Sequence, residues 1–207
     1  MKNILLSVLM TLMASSARAD LVEVANIYYN INQKDKTASV ASAPNDFSYS
    51  YYTGAIDIPA TIEHEGIVYD VTSVGEYAFQ YNTGVTSVTF PESLSAIERH
   101  AFRGTGLVSV TIPGWVTTIG YNAFGACPAM ESITVDGSNT AYDSRGDCNA
   151  IIETATGKLI NGCMNTVIPS DVTRINRQAF ESCIGLKEIS IPDNVTSIDY
   201  CAFQGCI

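Results

Sequence analysis

The feature that most constrains this chain is a nine-residue phrase that occurs five times in similar form. In each copy an aliphatic residue is followed three positions later by a second aliphatic residue, and an Ala-Phe pair ends the phrase. Successive copies start 23, 22, 56 and 23 residues apart. A period in the low twenties is typical of a solenoid, in which each repeat forms one coil. The copies are VTSVGEYAF from Val71, LSAIERHAF from Leu94, VTTIGYNAF from Val116, VTRINRQAF from Val172 and VTSIDYCAF from Val195.

Each full coil has a second half with an L-x-x-L-x-L pattern, often closed by proline, at 85–91, 107–113, 130–135 and 186–192. Its last apolar residues alternate with polar ones, which predicts a half-buried strand and, with the coils in register, a parallel sheet. Two inward ladders are expected, one of Val88, Val110, Ile133 and Ile189 and one of Phe90, Ile112, Val135 and Ile191. The phenylalanines that share one phase, and should stack on the opposite, turn-rich wall, are Phe79, Phe102, Phe124, Phe180 and Phe203.

These repeats resemble the BspA-like leucine-rich repeat family of secreted and surface proteins from Bacteroides-type bacteria. The matching pattern is VTSIxxxAFxxCxxLxxVxIP, and it covers about residues 55–207. Residues 56–71 are similar to the segment that usually precedes the repeats in this family. The resemblance implies a β-rich solenoid, a leucine-rich-repeat-like right-handed stack of 22–23-residue coils with a parallel sheet. It implies no particular chemistry, because the family is defined by its repeat.

Three regions are predicted along the chain. Residues 1–19 have the basic start, apolar stretch and A-x-A cleavage site of a signal peptide. Residues 20–70 should form an N-terminal β-hairpin cap, because a bare first coil would expose an apolar end and a strand edge. One hairpin should turn at 33–36 and a second at 64–66. Residues 71–207 form the leucine-rich-repeat solenoid.

The 56-residue gap between two copies predicts an inserted β-hairpin within about residues 136–171. Ala150–Thr154 should pair with Lys158–Gly162 around a turn that holds Gly157 in the left-handed conformation. In that register a Cys148–Cys163 disulfide is not favoured. The last repeat is incomplete because its sheet strand is missing, which favours a fragment or a truncated reading frame.

Charge and hydropathy limit the classes of partner. Loss of Lys2 and Arg18 with the signal peptide leaves 9 of the 11 basic residues against 21 acidic residues, a net charge of −12. This balance argues against nucleic acid and anionic membranes as partners, since both need basic patches. No later apolar run is long enough to span a bilayer, so no membrane insertion is expected after cleavage. The protein should be exported, to the medium or the cell surface, with the periplasm as an alternative.

Six cysteines in an exported chain suggest disulfides, but their positions favour free thiols. Cys127, Cys183 and Cys206 each follow a repeat phenylalanine by three residues, as small residues of a buried stack would. Neighbouring coils bring Cys183 and Cys206 near bonding distance, but their parallel Cβ vectors make closure poor.

Neither a catalytic site nor a metal or cofactor site is predicted. The histidines, His64 and His100, lie too far apart along the solenoid to share a metal ion. The chain has no H-E-x-x-H, no glycine-rich phosphate loop and no G-x-S-x-G. The segment 136–139 resembles half a calcium loop, but its later ligands are missing and a polar turn is favoured. The expected class is therefore not an enzyme.

The remaining candidate is the outward face of the predicted sheet, a mostly neutral surface of hydroxyl groups. Threonine and serine are also simply acceptable in exposed strands, so the residues that vary between coils should decide the choice of partner. The candidate contact residues are Thr86, Thr89, Val108, Thr111, Glu131, Thr134, Lys187, Glu188 and Ser190.

The tripeptide Arg145-Gly146-Asp147 has two interpretations. In an exposed turn it can bind integrins, because it presents a guanidinium and a carboxylate at opposite ends. Here the insert resembles one that the family often carries, in which D-S-R is already present, and a following Gly-Asp completes the tripeptide by accident. The second interpretation is favoured.

Two functional hypotheses follow. In the first, the chain is an exported, non-enzymatic module that binds a protein or another cell-surface ligand. The resemblance implies adhesion to host proteins or other cells. In the second, the chain is a structural spacer or repeat stalk within a longer secreted protein.

Overall fold

A computed structural model describes residues 20–44 and 51–206. The predicted signal peptide, residues 1–19, lies outside the described residues. The described chain is a β-rich stack of coils with two walls, in each of which strands of successive coils pair in parallel. The short-strand wall contains β6 (Ile67–Val74), β8 (Ala96–Ile97), β10 (Thr118–Ile119), β14 (Lys158–Gly162), β15 (Arg174–Ile175) and β16 (Ser197–Ile198). The long-strand wall contains β4 (Gly54–Asp57), β7 (Val85–Thr89), β9 (Ser109–Ile112) and β11 (Ser132–Val135).

The short-strand wall was not predicted, because the first half of the phrase was assigned no strand. Its second aliphatic residue lies in a parallel ladder, with Val74 opposite Ile97 and Ile97 opposite Ile119. The ladder is only two residues long in most coils, too short to show the alternation that identifies a strand in sequence. Both walls contribute buried side chains, and the core lies between them.

The long-strand wall differs from the predicted four-stranded sheet. The ladder between β9 and β11 is parallel and in register, but β7 pairs with β4, and no ladder of described residues joins β7 to β9. The expected strand at 186–192 does not form. Of the predicted inward residues, Ile112 and Ile133 are fully buried, whereas Ile191 is 39% exposed.

The two walls are joined by the Phe turn, which runs from Tyr77 to Asn82 in the first coil and recurs in each later copy of the phrase. The phenylalanines stack as predicted, with centroids 5.0 Å apart for Phe79 and Phe102 and 5.3 Å apart for Phe102 and Phe124. The stack resumes between Phe180 and Phe203, at 4.9 Å. Three of these phenylalanines make the same backbone hydrogen bond, to the carbonyl of the alanine before the next ring. Phe79 N donates to Ala101 O, Phe102 N to Ala123 O and Phe180 N to Ala202 O, each at 2.8 Å.

Two left-handed residues bend the chain in every Phe turn. They lie two positions before and two positions after the phenylalanine, with φ between 53° and 76°. The residues before it are Tyr77, His100, Asn122, Gln178 and Cys201. The residues after it are Tyr81, Gly104, Ala126, Ser182 and Gly205. Only two of these ten positions hold glycine, so the stacked coils impose a conformation that most L residues avoid.

The predicted insert contains a short coil of its own. Leu159 of β14 pairs with Ile175 of the next coil, only 16 positions later, whereas Ile175 pairs with Ile198, 23 positions later. Gly162 occupies the phenylalanine position, because its N–H donates to Ala179 O at 2.9 Å as a repeat phenylalanine does. A Cβ at Gly162 would come within 2.2 Å of the Phe180 ring, so the ring packs against bare backbone. The short coil has no left-handed bends.

The missing bends bring two distant coils into contact. Ala126 N donates to Glu181 O at 3.0 Å, past the short coil. The Glu181 carboxylate accepts from Arg103 Nη2 at 2.9 Å, Arg103 Nε at 3.1 Å and Asn122 Nδ2 at 2.8 Å. Burial alone would raise the pKa of Glu181, but the bonds from Arg103 and Asn122 outweigh it and hold the pKa below its ordinary value. A buried ion pair therefore joins the coils on either side of the insert.

The insert hairpin was predicted correctly apart from a bulge. β13 (Ala150–Glu153) pairs with β14, with Ala150 opposite Gly162 as expected. A register shift after Ile151 then moves Thr154 into the turn, where Gly157 is left-handed at φ 66°. Nearby, β12 (Tyr142–Asp143) pairs with β13.

Among the described residues, the core is divided at this hairpin. The buried hydrophobic residues form two clusters, and the hairpin separates them. Ile151 and Ile160 belong to the first cluster, whereas Ile152 and Leu159 belong to the second. Alternate residues of a strand point to opposite faces, so a hairpin buried on both faces divides the core into two.

At the N-terminal end, both expected hairpins are present. β2 (Ile27–Asn32) pairs with β3 (Thr37–Ala41), and β5 (Thr61–His64) pairs with β6. A further strand that was not predicted, β1 (Asp20–Val24), pairs with β2. β3 then pairs in parallel with β6, which connects these hairpins to the short-strand wall.

Tyr52 closes the N-terminal end of the phenylalanine stack. Its ring meets the Phe79 ring edge-on at 4.8 Å, and its hydroxyl donates to Ala41 O at 2.8 Å. Its backbone N–H donates to Asn82 Oδ1 at 2.8 Å. A buried tyrosine thus provides an apolar face to the core together with polar bonds that fix it.

All six cysteines lie in the described part of the chain and are free, as favoured. Cys127 Sγ donates to Phe102 O at 3.2 Å, and Cys206 Sγ donates to Phe180 O at 3.0 Å. Burial raises the pKa of the Cys183 thiol to about 12, so this thiol stays protonated at neutral pH.

The phenylalanine stack gives a first prediction. Phe102 is fully buried between two rings, whereas Phe203 is half-buried against one. We expect Phe102→Ala to lower the free energy of unfolding by about 3–5 kcal/mol and Phe203→Ala by clearly less. Urea melts of both variants measure the difference. Equal losses would contradict the unequal packing of the two rings.

The left-handed bends give a second prediction. Ala126 has φ 53°, a conformation that costs an L residue about 1–2 kcal/mol. Ala126→Gly should therefore raise the free energy of unfolding by about 1 kcal/mol. The control is Ala155→Gly in an exposed turn without positive φ, where glycine should lower stability by increasing the entropy of the unfolded chain. Thermal melts that show a loss in both variants would mean that the bends carry no strain.

Candidate functional site

The outward face of β7, β9 and β11, here called the sheet face, holds most of the candidate contact residues. All of those on these three strands, or directly before them, are exposed: Thr86, Thr89, Val108, Thr111, Glu131 and Thr134. Thr111 lies opposite Thr134 in the ladder, and their hydroxyls are 2.9 Å apart. The Cα partners align the side chains in rows that run along the stack.

The hydroxyl row continues into the N-terminal region, which was not predicted. Asp57 lies opposite Thr89, whose hydroxyl donates to the Asp57 carboxylate. Asp57 and Thr89 thus form one part of the row, and Thr111 and Thr134 form the other part on the far side of the unpaired strands β7 and β9. The sequence signal for this extra strand is the I-D-I-P motif at residues 56–59, which has the alternation and closing proline of the later strands.

The sheet face is interrupted between β7 and β9. The only backbone bond there among described residues is long, from Val108 N to Thr86 O at 3.5 Å. Beyond it the two strands are not paired, which leaves a cleft across the face. The sheet face thus combines flat hydroxyl rows with one recess.

Lys187, Glu188 and Ser190 are exposed, but contrary to the prediction they do not lie on the sheet face. They lie in a segment that is not a strand. Residues 163–169 of the short coil lie between this segment and β11. On one side, Asn165 Nδ2 donates to Glu131 O at 3.0 Å. On the other side, Val167 lines a recess together with Ser190. The structure therefore brings only the first six candidates together.

Arg145, Gly146 and Asp147 form a single 3-10 turn in the insert, with φ 65° at Gly146. The Arg145 guanidinium is held by Asp143, with Nε to Oδ1 at 2.7 Å, and also bonds the Asp171 carboxylate. Both bonds raise the pKa of Arg145. The cation that an integrin would need is thus engaged within the protein.

The histidines lie in separate surroundings. His64 ends β5, whereas the His100 ring lies between Tyr77 and Tyr121, with both centroid distances at 5.4 Å. Burial and then the charge of Arg99 lower the pKa of His100. Within residues 20–44 and 51–206, no group of three His, Cys, Asp or Glu residues could hold a metal ion. None of the described helices is long and apolar enough to cross a membrane.

The comparisons with known proteins agree with this architecture. A family model described as "BspA type Leucine rich repeat region" matches six copies over residues 47–154 and 160–207. A comparison with curated proteins finds no match.

Several solved structures are similar in fold. A leucine rich cell surface protein from Faecalibacterium prausnitzii is 21% identical, with 93% of this chain and 76% of that chain covered and a TM-score of 0.53. The pneumococcal vaccine antigen PcpA is 14% identical, with 91% and 68% covered and a TM-score of 0.58. A leucine rich repeat protein of T. pallidum is 16% identical, with 86% of each chain covered and a TM-score of 0.52. At these identities the likeness concerns the fold.

The ion pairs of Arg145 give a third prediction. Arg145→Met leaves the Asp143 and Asp171 carboxylates without their cation and should lower the free energy of unfolding by about 1 kcal/mol, since the group is partly exposed. The control Asp147→Asn changes an exposed carboxylate of the same turn and should have no measurable effect. Urea melts compare them. An unchanged stability of Arg145→Met would mean that the arginine is free to meet a partner.

Proposed function

The chain belongs to the BspA-type leucine-rich repeat family, and we propose that it is an exported, non-enzymatic interaction module that attaches to a ligand on a cell or host surface. In this proposal residues 1–19 are the export signal, residues 20–70 cap the stack, and residues 71–207 form the solenoid that presents the contact surface. The protein acts outside the membrane, secreted or at the cell surface, and the ligand is a protein or another surface molecule.

The observation that carries the proposal is the sheet face. It presents aligned, exposed hydroxyl groups on three successive coils, with the varied residues Val108 and Glu131 at one edge. A stack of coils provides a rigid and extended surface, which is the usual way in which solenoids bind their partners. The strands of the sheet face are fixed by backbone ladders and by inward residues that are buried in the core, so its side chains are held in place before any partner arrives.

The charge of the protein also indicates which ligands the sheet face can bind. With a net charge of −12 after export, the surface repels anionic partners at long range. Binding on this face then depends on hydrogen bonds and shape at short range. This favours an uncharged or basic epitope over a nucleic acid or an anionic lipid surface.

A capture experiment tests this proposal. Residues 20–207 are immobilised and incubated with host extracellular matrix and with bacterial surface extracts. The face variant Val108→Asp with Thr111→Arg should reduce capture at least about tenfold, because it places two charges on the contact surface. The matched control makes the same two changes at exposed strand positions of the N-terminal hairpin, Val68→Asp with Thr61→Arg, and should leave capture unchanged.

Two outcomes contradict the proposal. If the unmodified chain enriches no component of either extract, it is not an attachment module. If the hairpin variant and the face variant lose capture equally, the contact surface is not the sheet face. Circular dichroism and urea melts of both variants establish that each is folded before the comparison.

A further inference from the structure

Trp115 is the only tryptophan of the chain, and it stands where the other coils have a small polar residue. It is the third residue of the turn that begins with a proline and leads into the next phrase. The same position is Ser93, Asp171 and Asn194 in the other turns. Trp115 is 40% exposed, so the core does not account for it. An exposed aromatic residue that departs from a repeat is a candidate for contact with a ligand.

Trp115 lines the cleft that separates β7 from β9 on the sheet face. The cleft has a volume of about 370 Å³, within the range of small-molecule sites. Phe90 adds a second aromatic side chain, and hydroxyl groups come from Thr89 on one strand and from Ser109 and Thr111 on the other. The recess exists because these two strands are not paired.

Asp136 also lines this cleft. Its Oδ1 accepts from Ser138 N at 2.8 Å and from Ser138 Oγ at 2.5 Å. The hydrogen bonds from the Ser138 side chain and then from its backbone lower the pKa of Asp136, so the group is charged at neutral pH. Its second oxygen, Oδ2, has no hydrogen-bond partner among the described residues. A fixed carboxylate with one free oxygen can accept from a ligand hydroxyl.

The local fold holds Trp115 and Asp136 in one place. A Cβ at Gly114 would come within 2.0 Å of Ser138 Oγ and 3.5 Å of Asp136 Oδ1, so the loop that carries Asp136 packs against the turn that carries Trp115. Asn139 Nδ2 donates to Pro113 O at 2.7 Å and to Val116 O at 2.9 Å, which bonds both ends of that turn. The site is therefore formed before a ligand binds.

These groups fit a sugar ring better than other small ligands. A pyranose has an apolar face that can cover an indole ring, and its hydroxyls both donate and accept hydrogen bonds. The cleft offers an aromatic surface, hydroxyl groups on both strands and one charged acceptor. Among its described lining residues there is no Lys, Arg or His, so nothing balances a sugar carboxylate or sulfate beside Asp136.

We propose that the cleft lined by Trp115, Phe90 and Asp136 binds a neutral saccharide unit, which is the part of the surface ligand that the sheet face recognises. The proposal rests on the proposed function, since it names the ligand class for the same face. The indole ring stacks on the sugar, the Asp136 carboxylate accepts a sugar hydroxyl, and the threonine row bonds the adjoining unit.

The single tryptophan makes a direct test possible, because tryptophan emission reports on this cleft alone. The mature chain is titrated with a panel of neutral oligosaccharides of glucose, galactose, mannose and N-acetylglucosamine. Hyaluronate serves as an acidic glycan, and an extended threonine-rich peptide as a strand-forming ligand. We expect at least one neutral oligosaccharide to shift the emission in a saturable way, and neither hyaluronate nor the peptide to do so.

The variants are compared by isothermal titration calorimetry with the oligosaccharide that binds. Trp115→Ala and Asp136→Asn should each weaken binding about tenfold or more, and Trp115→Phe should keep part of the affinity. The control is Tyr200→Ala, which removes an aromatic residue that is 73% exposed but lies outside the cleft, and it should bind as the unmodified chain does. Urea melts confirm that all four variants are folded.

The results separate this inference from the proposed function. The inference is overturned if no neutral oligosaccharide binds, if hyaluronate or the peptide binds instead, or if binding survives Trp115→Ala. Where capture from surface extracts persists with Trp115→Ala and after enzymatic removal of glycans, the proposed function stands and the saccharide site falls. Where the unmodified chain captures nothing from the extracts, the proposed function itself fails, whatever the titrations show.

Discussion

The structure depends on one interaction between neighbouring coils, the hydrogen bond from the backbone N–H of a repeat phenylalanine to the carbonyl of the alanine before the next one. It occurs at 2.8 Å from Phe79, Phe102 and Phe180, and in the same form from Gly162 at 2.9 Å. Each coil is too small to bury its own apolar residues or to satisfy its own backbone, so it is stable only beside the next. The bond sets the register, and the register places one ring above another. The left-handed bends then follow, because the chain must turn sharply on both sides of each ring to return to the walls.

The short coil keeps this backbone hydrogen bond but lacks the phenylalanine and the left-handed bends of the other coils. Gly162 makes the required bond with no side chain, and the bends are absent. The Phe turns on either side therefore meet directly, and the buried pair of Arg103 and Glu181 forms where they meet. On the other wall, residues 144–149 and 163–169 lie beside β11 without forming a strand, so the regular sheet face ends there. A change in the length of one coil thus explains both the ion pair on one side and the limited extent of the binding surface on the other.

Much of the architecture can be predicted from the sequence because it depends on the positions that residues occupy within each repeat. The period, the stacked phenylalanines, the free cysteines and the hairpins all rest on residues whose spacing is visible. The short-strand wall was missed, because a two-residue ladder leaves no alternation. The short coil was missed because Gly162 replaces a phenylalanine, so the pattern that marks a coil is absent from it. The sequence pattern also predicted that Lys187, Glu188 and Ser190 lie on the sheet. A strand pattern cannot show that the neighbouring segment, residues 163–169, forms no strand with which theirs could pair.

The candidate site was only partly predictable for a related reason. The hydroxyl rows repeat, and so they were found, but a repeated feature mainly reflects what every exposed strand position tolerates. Selection among partners needs groups that differ from coil to coil. Trp115 and Asp136 are such groups, and each occupies a position that the repeat would fill with something else or leave as a plain turn. Their proximity comes from the packing of Gly114 against Ser138, which no spacing rule indicates. In a solenoid, then, the repeat builds the surface, and the residues that depart from it are those able to give that surface a specific ligand.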